Sequence, residues 1–167
     1  MLFRSGIGVG LIVGGRPIFG IHHPELGHIR IARMAGDSWP GCCSFHRDCL
    51  EGLASGPAIR ARAGEAAERL AADHPVWESV AFSLGQLLHT LVLAAAPLRI
   101  ILGGGVIDGQ PHLLSRIRDQ LNLSLNGYID AEELRSGLAD YVCPPGLGTL
   151  AGPLGALALA HDALATR

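Results

Sequence analysis

Residues 42–51 read CCSFHRDCLE, which places three of the chain's four cysteines beside a histidine. Cys43, His46 and Cys49 are spaced C-x-x-H-x-x-C, so two thiolates and an imidazole can converge within one turn-rich loop. Zinc takes such donors, four of them in a tetrahedron, with Zn–S near ~2.3 Å and Zn–N near ~2.0 Å. The fourth ligand must come from elsewhere. Cys42 adjoins Cys43, and neighbouring side chains seldom reach one ion together. Cys143 sits in an apolar stretch and reads as a core thiol. His28, in the ELGH segment ahead of the loop, is the chosen fourth ligand. By local sequence alone it stands level with a plain loop histidine, and His22 and His23 read as surface histidines. The bland alternative, a reduced loop with cysteines there by chance, fits poorly because so polar a stretch gives cysteines no apolar reason to cluster. Four protein ligands would leave no open position, making the ion structural and not hydrolytic. Glu51, two residues past the last ligand, would be fixed by that staple, and an anchored carboxylate accepts hydrogen bonds from hydroxyls well.

The elements that must position this loop can be read from hydropathy and turn residues. Residues 6–21, GIGVGLIVGGRPIFGI, read as a strand, a Gly14-Gly15 turn and a second strand. Residues 29–33, IRIAR, read as a third short strand. Residues 51–64 are helical with Pro57 tolerated near the start, and 65–73 continue in helical composition. Asp73 and Pro75 open a second helix in which Trp77, Val80, Leu84, Leu87, Leu88, Leu91 and Ala95 share one face; Pro97 ends it. Residues 99–107 read as a buried strand running into a triple-glycine turn. A helix follows from Pro111 with Leu113, Leu114, Ile117 and Leu121 on one face. Residues 141–145 read as a last strand, and a small-residue helix able to pack closely on a neighbour closes the chain. This order gives one α/β domain over residues 1–167, a mixed sheet with flanking helices.

Composition narrows the function. At 167 residues, 49% of them hydrophobic, the chain can bury a real core and is not a disordered segment. Its net charge is −2, and its basic residues form no block, which argues against a nucleic-acid partner. Arg47, Phe45 and Trp39 are too few, and too well matched by Asp37 and Asp48, for a zinc-knuckle nucleic-acid module. No signal peptide is read at the start. The apolar segment 87–101 is cut by Pro97 and Arg99, so no membrane span is expected. Clustered cysteines suit a metal site in a reducing cytoplasm better than a disulfide framework. The 23 glycines are roughly double the average share of ~7%, as tight turns or a ligand approached by bare backbone would require.

ELGHIRI, CSFHRDCLEGLASGPAI, RIILGGGVI, GYI and PPGLGTLAGPLGALALA resemble, in that order, the C-terminal half of the ROK family of sugar kinases and repressors, from about residue 5 to about residue 161. The C-x-x-H-x-x-C form of the loop resembles the bacterial fructokinase branch. The resemblance implies the C-terminal domain of an actin-like ATPase (ribonuclease H-like) fold, and ATP-dependent phosphorylation of a hexose, fructose first, with ATP and Mg²⁺ as co-substrate. It implies that Glu25, His28 and Glu51 bind sugar hydroxyls and that His28, Cys43, His46 and Cys49 hold Zn²⁺. His28 would then serve both, one ring nitrogen on the metal and the other towards the sugar. On the nucleotide side it implies roles for Ser5, Gly6 and Gly8, for Pro57 and Ala58, and for Gly103, Gly104 and Gly105, whose backbone amides can face phosphate oxygens.

The chain departs from that family in one respect. The Asp-x-Gly-Gly-Thr phosphate motif and the aspartate after an asparagine that serves as general base are absent; Asn122 and Asn126 are followed by other residues. The N-terminal lobe is therefore expected to be missing and the fragment inactive, since losing a general base alone costs roughly 10²–10⁴-fold. The competing reading is the sugar-sensing effector domain of a ROK-type repressor, which would need a helix-turn-helix that these residues do not contain; an inert gene product is another. A homodimer is an open expectation, because the helix from Val76 could serve a dimer as easily as a core.

Overall fold

The computed structural model describes residues 2–3, 6–135 and 137–165. Strand β1 (Leu2–Phe3) pairs antiparallel with β2 (Ile7–Gly8), in the register Leu2↔Gly8 and Phe3↔Ile7. Strands β3 (Ile12–Val13) and β4 (Arg16–Pro17) form a hairpin with Ile12 opposite Pro17 and Val13 opposite Arg16. Its turn residues Gly14 and Gly15 have φ of +57° and +77°, the left-handed pair whose twist matches that of the strands. Residues 26–28 form a 3₁₀ turn.

Residues 29–33 are not a strand. The carbonyl of Ile29 instead accepts from the Leu50 amide at 3.0 Å, so this segment braces the end of the cysteine loop. The helix expected over 51–64 is two helices, α1 (Leu50–Ala54) and α2 (Gly56–Ala63). Ser55 is extended between them, and its hydroxyl caps α2 by accepting from the Ala58 amide at 3.3 Å. Pro57 lies in the first turn, where its missing N–H has no partner to lose. Residues 65–73 make only a 3₁₀ turn at Ala67–Arg69. The buried Gln110 amide donates to the carbonyls of Ala67 at 2.7 Å and Leu70 at 3.1 Å, and so satisfies groups that a helix would have bonded internally.

Helix α3 (Val76–Ala95) carries the centre of the core, with Trp77, Val80, Leu84, Leu87, Leu88 and Leu91 buried and Ala95 exposed at its last turn. Strand β5 (Ile100–Ile101) runs through Gly103 and Gly104 into helix α4 (Gly105–Gly109), so the strand is shorter than expected. Helix α5 (His112–Leu125) begins just after Pro111 and buries Leu113, Leu114, Ile117 and Leu121. After the short α6 (Glu132–Arg135), strand β6 (Val142–Cys143) lies parallel to β5, pairing Ile100 with Val142 and Ile101 with Cys143. Helix α7 (Ala151–Ala165) closes the described chain, and its Leu157 and Leu159 are exposed.

The described strands form three separate two-stranded sheets, two antiparallel and one parallel, in place of the single mixed sheet expected; with the covering helices they make an α/β fold. Helix α3 packs on α5 so closely that a Cβ at Gly85 would lie 2.6 Å from Gln120 Cβ. Leu50, Ile59, Leu102 and Val106 belong to the same core cluster, so the end of the cysteine loop and the glycine turn after β5 are clamped to one body. By length and composition α3 could cross a membrane, but more than half of it is buried in the chain's own core. Its apolar stripe therefore serves the core.

Candidate functional site

The cysteine loop folds as a knuckle. Cys43 and Arg47 exchange two backbone hydrogen bonds, N–H to O=C at 3.1 and 2.9 Å, and Arg47 turns the chain with φ +56°. Gly41 and Gly52 pack against the carbonyl of Arg47, where any Cβ would sit 2.1 and 1.8 Å from its oxygen. The Cys42 amide donates to the carbonyl of Gly52 at 3.0 Å, fastening the loop to α1. On its outer side Arg62 of α2 grips the nearly buried Asp37 carboxylate with two bonds of 3.0 and 2.9 Å. Arg33 donates to the carbonyls of Asp37 and Trp39, and Arg30 pairs with Asp48. Burial works to raise the Asp37 carboxyl, but the Arg62 and Trp39 hydrogen bonds and the charges of Arg62 and Arg33 outweigh it and hold the group below its ordinary value.

This bracing brings His28, Cys43, His46 and Cys49 together, one ligand atom from each lying within 4.8 Å of every other. The Nδ1 of His28 is 3.7 Å from Cys43 Sγ and 3.6 Å from Cys49 Sγ, and the Nδ1 of His46 is 4.0 Å from Cys43 Sγ. A regular tetrahedron with ordinary zinc bond lengths puts sulfur and nitrogen about 3.5 Å apart. The donor set and spacing therefore fit zinc. Cys43 and Cys49 are buried, and all four cysteines are free thiols. Burial raises the Cys43 thiol, but the His46 and Phe45 amides, with contacts from Cys49 and His28, bring it down to about 6. Burial, joined by neighbouring Cys43, pushes Cys49 up. Two adjacent thiols cannot both ionise cheaply without a cation between them. Cys42 is exposed outside the cluster, and Cys143 is only half-buried in β6.

His28 presents Nδ1 to the thiols and Nε2 to Glu51, whose Oε1 lies 3.9 Å away. The second carboxylate oxygen of Glu51 accepts from the Ile7 amide at 3.1 Å. Glu51 lines a cleft of about 990 Å³ together with Gly6, Gly8, Gly103, Gly104 and Gly105. Asp108 and Thr149 line it too; sequence reasoning passed over both. Asp108 falls between the 99–107 strand reading and the helix read from Pro111, whereas the GLGT run around Thr149 has the signal of a glycine-rich turn.

Other expected residues stand apart from this group. The Glu25 carboxylate pairs with His23 Nε2 at 2.6 Å and is half-exposed, not among the residues lining the cleft. Pro57 lines a smaller neighbouring cavity of about 440 Å³, which meets the main cleft at Gly105. Ala58 is fully buried and its amide is already bonded to Ser55, so it faces neither cavity. Ser5 lies outside the described residues.

Residues 2–163 match the profile of the ROK family. A fructokinase of Pediococcus pentosaceus is 40% identical over 164 residues, covering 98% of this chain and 55% of that protein. Among solved structures, a ROK hexokinase from Thermus thermophilus superposes with a TM-score of 0.75 at 28% identity, covering 93% of this chain and 53% of its own. A ROK family glucokinase from Streptomyces griseus, in complex with glucose and AMPPNP, gives 0.68 at 27%, covering 96% and 59%. The chain spans about half the length of the curated relatives it matches, 53% and 55% for two of them. A matching profile over nearly all residues, and a shared fold at both solved structures, lead to one conclusion: the chain belongs to the ROK family.

Proposed function

We propose that these residues form the C-terminal lobe of a cytoplasmic ROK sugar kinase that transfers the γ-phosphate of ATP, with Mg²⁺, to a hexose hydroxyl, and that fructose is the hexose. The observation that carries this reading is the place of Glu51, beside His28 and the Cys/His cluster on one side and opening onto a glycine-lined cleft on the other. The fructokinase name of the Pediococcus relative and the glucose and AMPPNP bound by the Streptomyces structure support a sugar and a nucleotide as its ligands.

Each group has a definite task. The Glu51 carboxylate accepts hydrogen bonds from sugar hydroxyls and so orients the ring. His28 Nε2 adds a second polar group 3.9 Å from Glu51, with its proton position set by what Nδ1 faces. Gly6, Gly8 and the 103–105 turn let backbone approach the nucleotide without Cβ interference. His28, Cys43, His46 and Cys49 would hold zinc, which would staple the loop and take no part in the reaction. Because no aspartate follows an asparagine here, the base that takes the hydroxyl proton comes from outside these residues, and the chain alone does not turn over. A coupled assay of ATP-dependent fructose phosphorylation on the 167-residue chain tests this directly. Turnover at ordinary kinase rates, about 1–100 s⁻¹, would refute the need for a second lobe. Absence of fructose binding to the zinc-loaded chain would remove the sugar site.

A further inference from the structure

We infer that the Gly6–Ile7 peptide leading into β2 is a positioning element for the Glu51 carboxylate, and that it links the sugar side of the cleft to the glycine-lined nucleotide side. The inference rests on the proposed sugar role of Glu51. The Ile7 amide donates to Glu51 Oε2 at 3.1 Å, across 44 residues of sequence. A Cβ at Gly6 would lie 2.5 Å from that same oxygen, so residue 6 must be glycine for the carboxylate to rest where it does. The other edge of the Ile7 peptide is filled as tightly. A Cβ at Gly27 would lie 1.9 Å from the Ile7 carbonyl oxygen, and Gly27 directly precedes His28. One strand residue therefore touches both arms of the site, Glu51 through its N–H and the Gly27-His28 turn through its C=O.

Ile7 is well placed to hold them. It is 4% exposed within the core and pairs with Phe3 in the β1–β2 ladder. A hydrogen bond from a backbone amide to a carboxylate is charge-assisted and stronger than a neutral one. With Oε2 held, Oε1 is the oxygen left facing His28 Nε2, and it is the one available to an incoming hydroxyl. Gly6 and Gly8 also line the cleft. A phosphate held against this strand would act on the carboxylate through the same peptide, so fructose and AMPPNP should change each other's affinity by one common factor; equal fructose affinity with and without AMPPNP overturns that link.

The test uses the ¹⁵N-labelled, zinc-loaded chain titrated with fructose, alone and in the presence of AMPPNP. In Gly6→Ala, fructose affinity is expected to fall about tenfold or more, as loss of a bond to a charged group implies. The Ile7 amide proton should move upfield, while zinc content stays unchanged. Gly10→Ala, where a Cβ meets nothing within 4 Å, should leave affinity, zinc and the Ile7 resonance in place. Parental fructose affinity in Gly6→Ala with an unmoved Ile7 resonance overturns the inference. Should Gly6→Ala not fold, Glu51→Ala reads the same amide without a clash: an upfield shift at Ile7 supports the positioning bond, and an unshifted resonance overturns it. If the parent chain binds no fructose, the sugar reading fails, yet the Glu51→Ala arm still decides whether Ile7 holds the carboxylate.

Discussion

Replacing Gly52 by alanine puts two well-known effects in opposition. In an ordinary helix, Gly→Ala gains about 1 kcal/mol of propensity. Gly52, however, lies in α1 against the metal knuckle, and its new Cβ would sit 1.8 Å from the Arg47 carbonyl oxygen and 2.9 Å from the Cys43 amide nitrogen. Reaching even 3.0 Å requires the Arg47 carbonyl to retreat by about 1.2 Å. Coordination distances tolerate only about ±0.2 Å. Cys43 cannot stay behind, because it exchanges two backbone hydrogen bonds with Arg47. Its thiolate is therefore drawn out of the tetrahedron, leaving three good ligands. Zinc affinity should fall about 100-fold or more, equivalent to about 2.8 kcal/mol. Competition for zinc with a chromophoric chelator measures this, with helix content followed by circular dichroism. Gly146→Ala, where a Cβ meets nothing within 4 Å, should bind like the parent. If Gly52→Ala holds zinc within about threefold of the parent, the close packing does not govern the knuckle and the reasoning is wrong.

Three further outcomes follow from the same geometry. Cys49→Ser removes a buried thiolate and should abolish zinc retention on metal analysis; chelating the metal from the parent should lower stability by about 2.7 kcal/mol for free zinc at 100 times its dissociation constant. Arg62→Ala removes two bonds from the Asp37 carboxylate, whose side chain is only 6% exposed, and leaves it Arg33 at 3.5 Å and the Trp39 amide at 3.0 Å; it should cost about 1–2 kcal/mol in denaturant titrations at neutral pH. Because the folded Asp37 carboxyl sits below its ordinary 3.8, its contribution is complete above that value and is lost as pH falls through the lower folded value. Loss of stability on acidification should therefore be shallower in Arg62→Ala; an identical acid limb would show that the pair contributes nothing. Gly85→Ala should destabilise the α3–α5 contact by about 1–3 kcal/mol despite better helix propensity, since its Cβ would lie 2.6 Å from Gln120 Cβ; a rise in the unfolding midpoint would contradict this.

How much of this was legible in the sequence varied with how local each cause is. The α3 stripe from Trp77 to Leu91 and the α5 face from Leu113 to Leu121 recur at helical spacing, and the structure buries them. The Gly14-Gly15 turn was legible because only glycine enters two successive left-handed residues without penalty. IRIAR was misread as a strand because its pattern suits one while its backbone bonds go to the loop end at Leu50. Residues 65–73 were misread as helix because Gln110, some 40 residues away in sequence, takes the Ala67 and Leu70 carbonyls. Glu25 matched the family motif, yet its carboxylate turns to His23.

By itself, the amino-acid order determined which atoms could meet a metal, because C-x-x-H-x-x-C confines three donors to one short loop whatever surrounds it. It also determined the apolar stripes that draw α3 and α5 into a core, since period and hydropathy are local properties. Only the tertiary structure decided that His28 joins the three loop donors, and that its far nitrogen faces Glu51. It alone decided that Ile7 holds Glu51, and that Gly6, Gly27 and Gly52 are glycines for want of room and not for flexibility. Those relations join residues tens of positions apart, and contact distance between them exists only once the chain has closed on its core.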